Sequence, residues 1–272
     1  VNGQTIALTH AETPEQVNWR HHDIDLLIEC SGRYTCRPEI ERFLAAGCPC
    51  LLLSQPAQGA ADVDATVVFG FNHDQLSGRE RILSGATCTT NAIVPVLKLL
   101  DEAYGVEHAL LTTLHSLMND QPVLDSYHHT DLRKTRAAIQ SIIPVDTALA
   151  RGIDRVLPEL AGCFAAQAMR VPTQNVSAID LSIQVGRDTG EAEVNRLLRD
   201  AATGPLAGIL GYTEEPLASC DFNHDPHSGV VDASQTRVAG RRLIKVLVWF
   251  DNEWGYANRM VDILRHWRSL LR

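Results

Sequence analysis

Cys88 stands in the run Ser84-Gly-Ala-Thr-Cys88-Thr-Thr-Asn91, directly before apolar residues at helical spacing: Ile93, Val94, Val96, Leu97 and Leu100. The first turn of a helix offers unpaired N–H groups and the positive end of the helix dipole. Both favour a thiolate over a thiol, so a lowered Cys88 pKa is expected. The chemistry open to such a sulfur is attack on an electrophilic carbon. A single free cysteine is more often a small buried hydrophobe, so its partners decide. His115 ends an apolar run 27 residues later and is the candidate base. Thr87, Thr89 and Thr147 offer hydroxyls, and Arg133, Arg136 and Arg170 offer forked donors suited to phosphate. Taken singly, each is more often a capping or surface residue. His224 and His227 have the spacing of a metal pair, but no metal is expected there.

The elements that must carry these residues follow from the apolar pattern. Ile24–Cys30, Cys50–Ser54 and Ala65–Phe69 read as buried strands, with a helix over Pro38–Ala46 stopped by Gly47. Apolar strands alternating with a helix predict a parallel sheet covered on both faces. Beyond the Cys88 helix the texture changes. Ala109–Leu114 reads as the strand that delivers His115. Asn119–Thr135 is polar and too long for a simple connection, which marks a functional or interface loop. Strands over Ala165–Val171, Ser177–Val185 and Leu243–Phe250, with a helix near Glu191–Ala202, predict a mixed α+β unit. Asn252–Leu271 reads as an amphipathic helix with Met260, Ile263, Leu264 and Trp267 on one side.

The bulk numbers exclude several classes. A net charge of −9 argues against a general nucleic-acid binder, because a phosphate backbone attracts a basic face. It leaves room for a small phosphorylated ligand held by a few local donors. No run approaches the ~18 apolar residues of a membrane span. No signal peptide is visible. Seven scattered cysteines in 272 residues read as reduced thiols, so a cytoplasmic protein is expected.

Five strings occur in order: Ser84–Asn91, His115-Ser-Leu-Met-Asn-Asp-Gln121, Asp131-Leu-Arg-Lys-Thr-Arg136, Met169-Arg-Val-Pro-Thr173 with Asn175-Val-Ser177, and Trp249-Phe-Asp-Asn-Glu-Trp-Gly-Tyr256. Together they resemble the glyceraldehyde-3-phosphate dehydrogenase superfamily. Within it the chain is most similar to the bacterial erythrose-4-phosphate dehydrogenase branch. Met118 stands where glycolytic members have a phosphate-binding threonine, Pro144-Val-Asp-Thr-Ala148 replaces a Thr-Thr-Thr-Gly stretch, and Asp221–Ser228 has the flavour of that branch. The resemblance implies an α/β plus α+β fold: an incomplete Rossmann-type parallel sheet, then a mixed-sheet catalytic domain. The implied boundaries are a partial NAD-binding domain over 1–87, completed by the helix 252–272, and a catalytic domain over 88–251.

It also implies Cys88 and His115 as catalytic residues, and Thr87, Thr89, Thr147, Arg133, Arg136 and Arg170 around substrate phosphate. Ser31, Gly32, Arg33, Ser54, Asn252 and Tyr256 would touch NAD. The implied reaction is oxidation of erythrose 4-phosphate to 4-phosphoerythronate through a Cys88 thioester, serving pyridoxal phosphate synthesis, in a homotetramer. No G-x-G-x-x-G occurs in the sequence. The expectation is therefore that the first β-α-β unit lies before Val1. Strands Ile24–Cys30 and Cys50–Ser54 and the terminal helix would then lack part of their packing. Gly85 replaces a family asparagine and would loosen the nucleophile loop. Two other readings compete: a phosphorylating glyceraldehyde-3-phosphate dehydrogenase, and a non-enzymatic remnant that keeps only the assembly surface.

Overall fold

The computed structural model describes residues 1–271. Two sheets organise them. The first holds β1 (Leu27–Glu29), β2 (Leu51–Leu53), β3 (Ala65–Thr66) and β4 (Ile82–Ser84) in the order β1-β2-β4-β3, all parallel. Its central strand explains its layering. Leu51, Leu52 and Leu53 are all fully buried. Successive side chains point to opposite faces. Leu51 and Leu53 pack with Ile40 and Phe43 of α1 (Arg37–Ala45). Leu52 packs with Met260, Ile263 and Trp267 of the last helix.

The second sheet has seven strands. They are β5 (Val106–His115), β6 (Ile143–Val145), β7 (Phe164–Arg170), β8 (Ser177–Val185), β9 (Leu210–Thr213), β10 (Gly229–Ala239) and β11 (Leu243–Phe250). Their order is β6-β7-β5-β8-β11-β10-β9, with parallel and antiparallel pairs mixed. Three helices share its main core: α2 (Cys88–Tyr104), α3 (Leu149–Val156) and α4 (Glu191–Thr203). The other face keeps Leu110, Leu114 and Leu243 exposed. The architecture is thus the expected pairing of a parallel sheet with a mixed one.

Several elements differ from the sequence reading. The strand expected over Ala65–Phe69 is only the two-residue β3. The strand expected over Ile24–Cys30 is three residues. Strands β4, β6, β9 and β10 and helix α3 were not anticipated. The last helix, α5, spans Trp254–Leu270, so Asn252 precedes it; the Asp251 carboxylate accepts from the N–H groups of Glu253 and Trp254 and fixes that start. The helix is seated on the strands that are present. Trp267 and Ile263 are completely buried against the first sheet. Each such side chain contributes roughly 1.5–3 kcal/mol.

Candidate active site

The nucleophile loop is pinned from several sides. β4 ends at Ser84, and three residues carry the chain to α2. The Gly85 N–H donates to the Leu53 carbonyl, and Ser84 Oγ donates to the Gln55 carbonyl. Asn91 Nδ2 reaches back to the carbonyls of Gly85 and Thr87. A Cβ on Gly85 would stand 2.5 Å from Met260 Sδ and 3.2 Å from Tyr256 Oη. Glycine therefore fits a tight seat, and the expected loosening is corrected. Ala86 adopts φ 60°, a left-handed conformation costly for a residue with a Cβ. Thr87 caps α2: its Oγ1 accepts from the Thr90 N–H at 3.0 Å. The result places Cys88 as the first residue of α2.

The second half comes from sheet register. β5 and β7 run parallel, with His115 paired to Arg170 at their C-terminal ends. His115 Nε2 lies 4.0 Å from Cys88 Sγ, and Thr89 Oγ1 lies 3.8 Å from the sulfur. His115 Nδ1 is 3.0 Å from the Ser116 carbonyl oxygen and 2.7 Å from Arg170 Nη1. Burial pushes the Cys88 thiol above its usual value, against the pull of the Thr89 hydroxyl, the local backbone N–H groups and Arg170. This corrects the expected lowering: desolvation of the sulfur outweighs the helix end. Burial also pushes the His115 imidazole down; the Ser116 carbonyl opposes that shift and Arg170 adds to it.

Both groups line a cavity of about 650 Å³ between the two sheets. Its wall includes Ser54, Thr87, Cys88, Thr89, His115, Met118, Thr147, Arg151, Asn252 and Tyr256. Asn252 is oriented by two hydroxyls: Ser116 Oγ and Ser177 Oγ donate to its Oδ1 at 2.7 and 2.8 Å. Among the described residues its Nδ2 makes no hydrogen bond, and Asn252 lines the cavity, which suits a carboxamide carbonyl. Tyr256 Oη donates to the carbonyls of Ser54 and Ala86, which ties α5 to both sides of the site.

Not all expected residues gather here. Ser31, Gly32 and Arg33 are exposed beyond β1 and do not line the cavity. Arg133 lines a neighbouring polar pocket with Thr147 and Arg151. Arg136 pairs with Asp125. Arg170 is buried behind His115, its Nη2 donating to both Asp120 oxygens at 3.0 Å. His227 Nδ1 meets Asp225 at 2.7 Å, and the His224 ring lies against Trp254.

Sequence reasoning missed Ser116, Ser177, Asp120 and Arg151. The last is the cavity's unengaged cation: among the described residues its guanidinium makes no hydrogen bond or ion pair, whereas Arg155 donates to the carbonyls of Ala57 and Gln58. Its only sequence signal was proximity to Thr147. Among the described residues, no helix is long and apolar enough to cross a membrane, and all seven cysteines are free thiols. Residues 87–252 match the family model described as glyceraldehyde 3-phosphate dehydrogenase, C-terminal domain.

Proposed function

The chain belongs to the glyceraldehyde 3-phosphate dehydrogenase family, and from that premise we propose that it oxidises the aldehyde of a phosphorylated sugar, erythrose 4-phosphate, with NAD as cofactor. The observation that carries this reading is the Cys88–His115 pair facing a cavity that also holds hydroxyls, a free cation and an oriented amide. The residues present fit the nicotinamide end of NAD. Asn252 Nδ2 would hold its carboxamide, with Ser54 and the Tyr256 ring beside it. When bound, NAD supplies a hydride acceptor. Ser31, Gly32 and Arg33 remain the proposed contacts toward the ribose.

The remaining chemistry belongs to this chain. The Cys88 sulfur forms a bond to the aldehyde carbon, and its proton passes to His115 Nε2. The protonated ring then donates to the oxygen that gains charge, together with the backbone N–H at the start of α2. Departure of the aldehyde hydrogen as hydride, to the acceptor that NAD would supply, leaves a thioester on Cys88. His115 then returns its proton to solvent and takes one from water; the hydroxide adds to the thioester carbon, and that proton goes to the departing sulfur, so 4-phosphoerythronate leaves and the thiol is restored. Thr89, Thr147 and Arg151 hold the phosphate within the cavity, with Thr87 beside them. Arg133 and Arg136 form the outer part of the anionic approach. Arg170 serves the same anion when it leaves Asp120.

Met118, half exposed on the cavity wall, supports the erythrose 4-phosphate reading, since it offers no hydroxyl where glycolytic members have a threonine that binds substrate phosphate. The product would feed pyridoxal phosphate synthesis in the cytoplasm. A homotetramer is proposed from the apolar surface left open on the second sheet and its long loop: Leu110, Leu114, Leu124, Tyr127, Leu132 and Ile142.

The test is NADH formation from erythrose 4-phosphate and from glyceraldehyde 3-phosphate, each with and without inorganic phosphate. Oxidation of erythrose 4-phosphate without phosphate is expected. Strict dependence on phosphate would instead favour the phosphorylating reaction. Absence of both NADH formation and calorimetric NAD binding would leave only an assembly role.

A further inference from the structure

Two short segments meet residue by residue beside the cavity. Asn175 Nδ2 donates to Asp251 Oδ2 at 2.9 Å, and Ser177 Oγ donates to Asn252 Oδ1 at 2.8 Å. Regular strand pairing does not give this match. The antiparallel ladder of β8 and β11 ends at the pair Ser177 and Phe250. Continued, it would set Val176 against Asp251 and Asn175 against Asn252. The register breaks at Val176, whose φ of 64° lies in the left-handed region. That conformation is an outlier for a β-branched residue. A third segment closes the arrangement. The Val176 side chain is buried against Phe222 and Val230. Next to Phe222, Asn223 Oδ1 accepts from Asn175 Nδ2 at 2.6 Å, and the His224 N–H donates to Asp251 Oδ2 at 2.8 Å. Asp251 Oδ1 takes the N–H groups of Glu253 and Trp254. A strained valine persists only where its surroundings over-determine it, and these contacts do so.

We propose that Asn175 is a positioning residue for Asn252: through Asp251 it fixes the backbone of the turn 251–252, while Ser177 fixes the amide itself. The hydroxyl bonds alone do not suffice. The Ser116 and Ser177 hydroxyls rotate about their own C–O bonds, so they follow an amide that swings. A fixed backbone removes that freedom, and Asn252 Nδ2 keeps one direction. The left-handed turn at Val176 is what lets residues 175 and 177 hold the neighbours 251 and 252 together. The Asp251 carboxylate can only accept, so the Asn175 amide must present Nδ2 to it. Asn175 Oδ1 is thereby left buried without a partner. A side chain that only filled space would not carry that cost. The benefit of this positioning to a nicotinamide rests on the function proposed above; the positioning itself does not.

The order of the Asn252 amide can be read in the full chain labelled with ¹⁵N-asparagine, from side-chain proton–nitrogen NOEs, with Asn252→Asp used to assign the signal. An ordered amide is expected in the unaltered protein and a mobile one in Asn175→Ala. The Asn91 amide, bound to the Gly85 and Thr87 carbonyls, should stay ordered in both and reports that the variant is folded. A mobile Asn252 amide in the unaltered protein would overturn the proposal, and that spectrum needs no variant to fold. An ordered one in Asn175→Ala would overturn it as well. NAD titration gives a second readout. Asn175→Ala is expected to weaken binding about tenfold, and to add nothing once Asn252→Ala is present, since its effect runs through that amide. An equal further loss in the Asn252→Ala background would reduce Asn175 to a structural residue. If NAD leaves the Asn252 signals unmoved while Asn175→Ala loosens them, the nicotinamide reading fails and the positioning role stands.

Discussion

The two walls of the cavity are held in different ways. On the catalytic wall, buried side chains bind one another: Ser116 and Ser177 to Asn252, and His115 to Arg170, which reaches out to the exposed Asp120. On the facing wall, long side chains from distant segments catch backbone carbonyls. Tyr256 holds Ser54 across 202 residues of sequence, and Arg155 holds Ala57 across 98. Removing a partner from the first wall strands polar groups away from water. Removing one from the second frees backbone carbonyls, of which that of the exposed Gln58 is within reach of water. The difference teaches that the catalytic wall should be brittle and the cofactor wall tolerant, because an unpaired buried group costs more than a lost bond whose ends water can reach.

The largest expected effects lie on the catalytic wall. Cys88→Ser should abolish NADH formation, and His115→Asn should lower it by about 10²–10⁴-fold through loss of proton transfer. Retained activity in either would break the comparison at its centre. Asn252→Ala removes the acceptor of two buried hydroxyls, so it should cost about 1–3 kcal/mol in urea unfolding and raise the KM for NAD. Tyr256→Phe, on the other wall, keeps the ring and loses two bonds to carbonyls; about 0.5–1.5 kcal/mol is expected. If Tyr256→Phe proved the costlier of the two, the contrast would be reversed.

A pH profile sharpens the electrostatic side of the comparison. Cys88 is raised and His115 lowered, both by burial first. In the free protein the imidazole is then neutral near pH 7, and thiolate accumulates only as pH rises toward the elevated thiol value. Alkylation of Cys88 by iodoacetamide should therefore climb steadily from about pH 6 to pH 9, with no low-pH plateau from an ion pair. Cys48 supplies the control: its thiol is buried and pushed up to about 11, so it should stay unreactive over the same range. A flat Cys88 profile would show a preformed thiolate.

What was legible in the sequence tracks locality. Cys88 at a helix start needed only a hydroxyl cap and the apolar spacing that follows, all within one segment. His115 at a strand end was equally local. The expected thiolate was misjudged because desolvation depends on the packing of both sheets, which no local pattern reports. Ser116 and Ser177 were invisible because a serine's role as a donor to Asn252 exists only once three segments meet. Arg170 was found by type, but its place behind His115 follows from the β5–β7 register. The short strand β4 escaped because three residues carry no period, and β3 was drawn too long for the same reason. Gly85 was misjudged for a similar reason: the Met260 sulfur that needs the space arrives from α5.

The smallest expected effect makes the most exacting test of the two-wall contrast. Arg155 Nη1 donates to the Ala57 carbonyl at 2.9 Å and Nη2 to the Gln58 carbonyl at 3.3 Å, the second a long bond. Gln58 is exposed, so water can take over its carbonyl when the guanidinium is removed. Arg155→Met keeps most of the aliphatic stem and loses only those bonds. The expected cost is about 0.5–1 kcal/mol, read as a small fall in the urea midpoint with an unchanged slope. NAD affinity should weaken modestly, because the loop Ser54–Gln58 forms one side of the cavity and loses a tether. Reactivity of Cys88 toward iodoacetamide should not move, since no bond in its own wall is touched. A loss as large as that of Asn252→Ala, or a shifted Cys88 profile, would mean that the two walls are one mechanical unit and that the nucleophile is positioned from across the cavity.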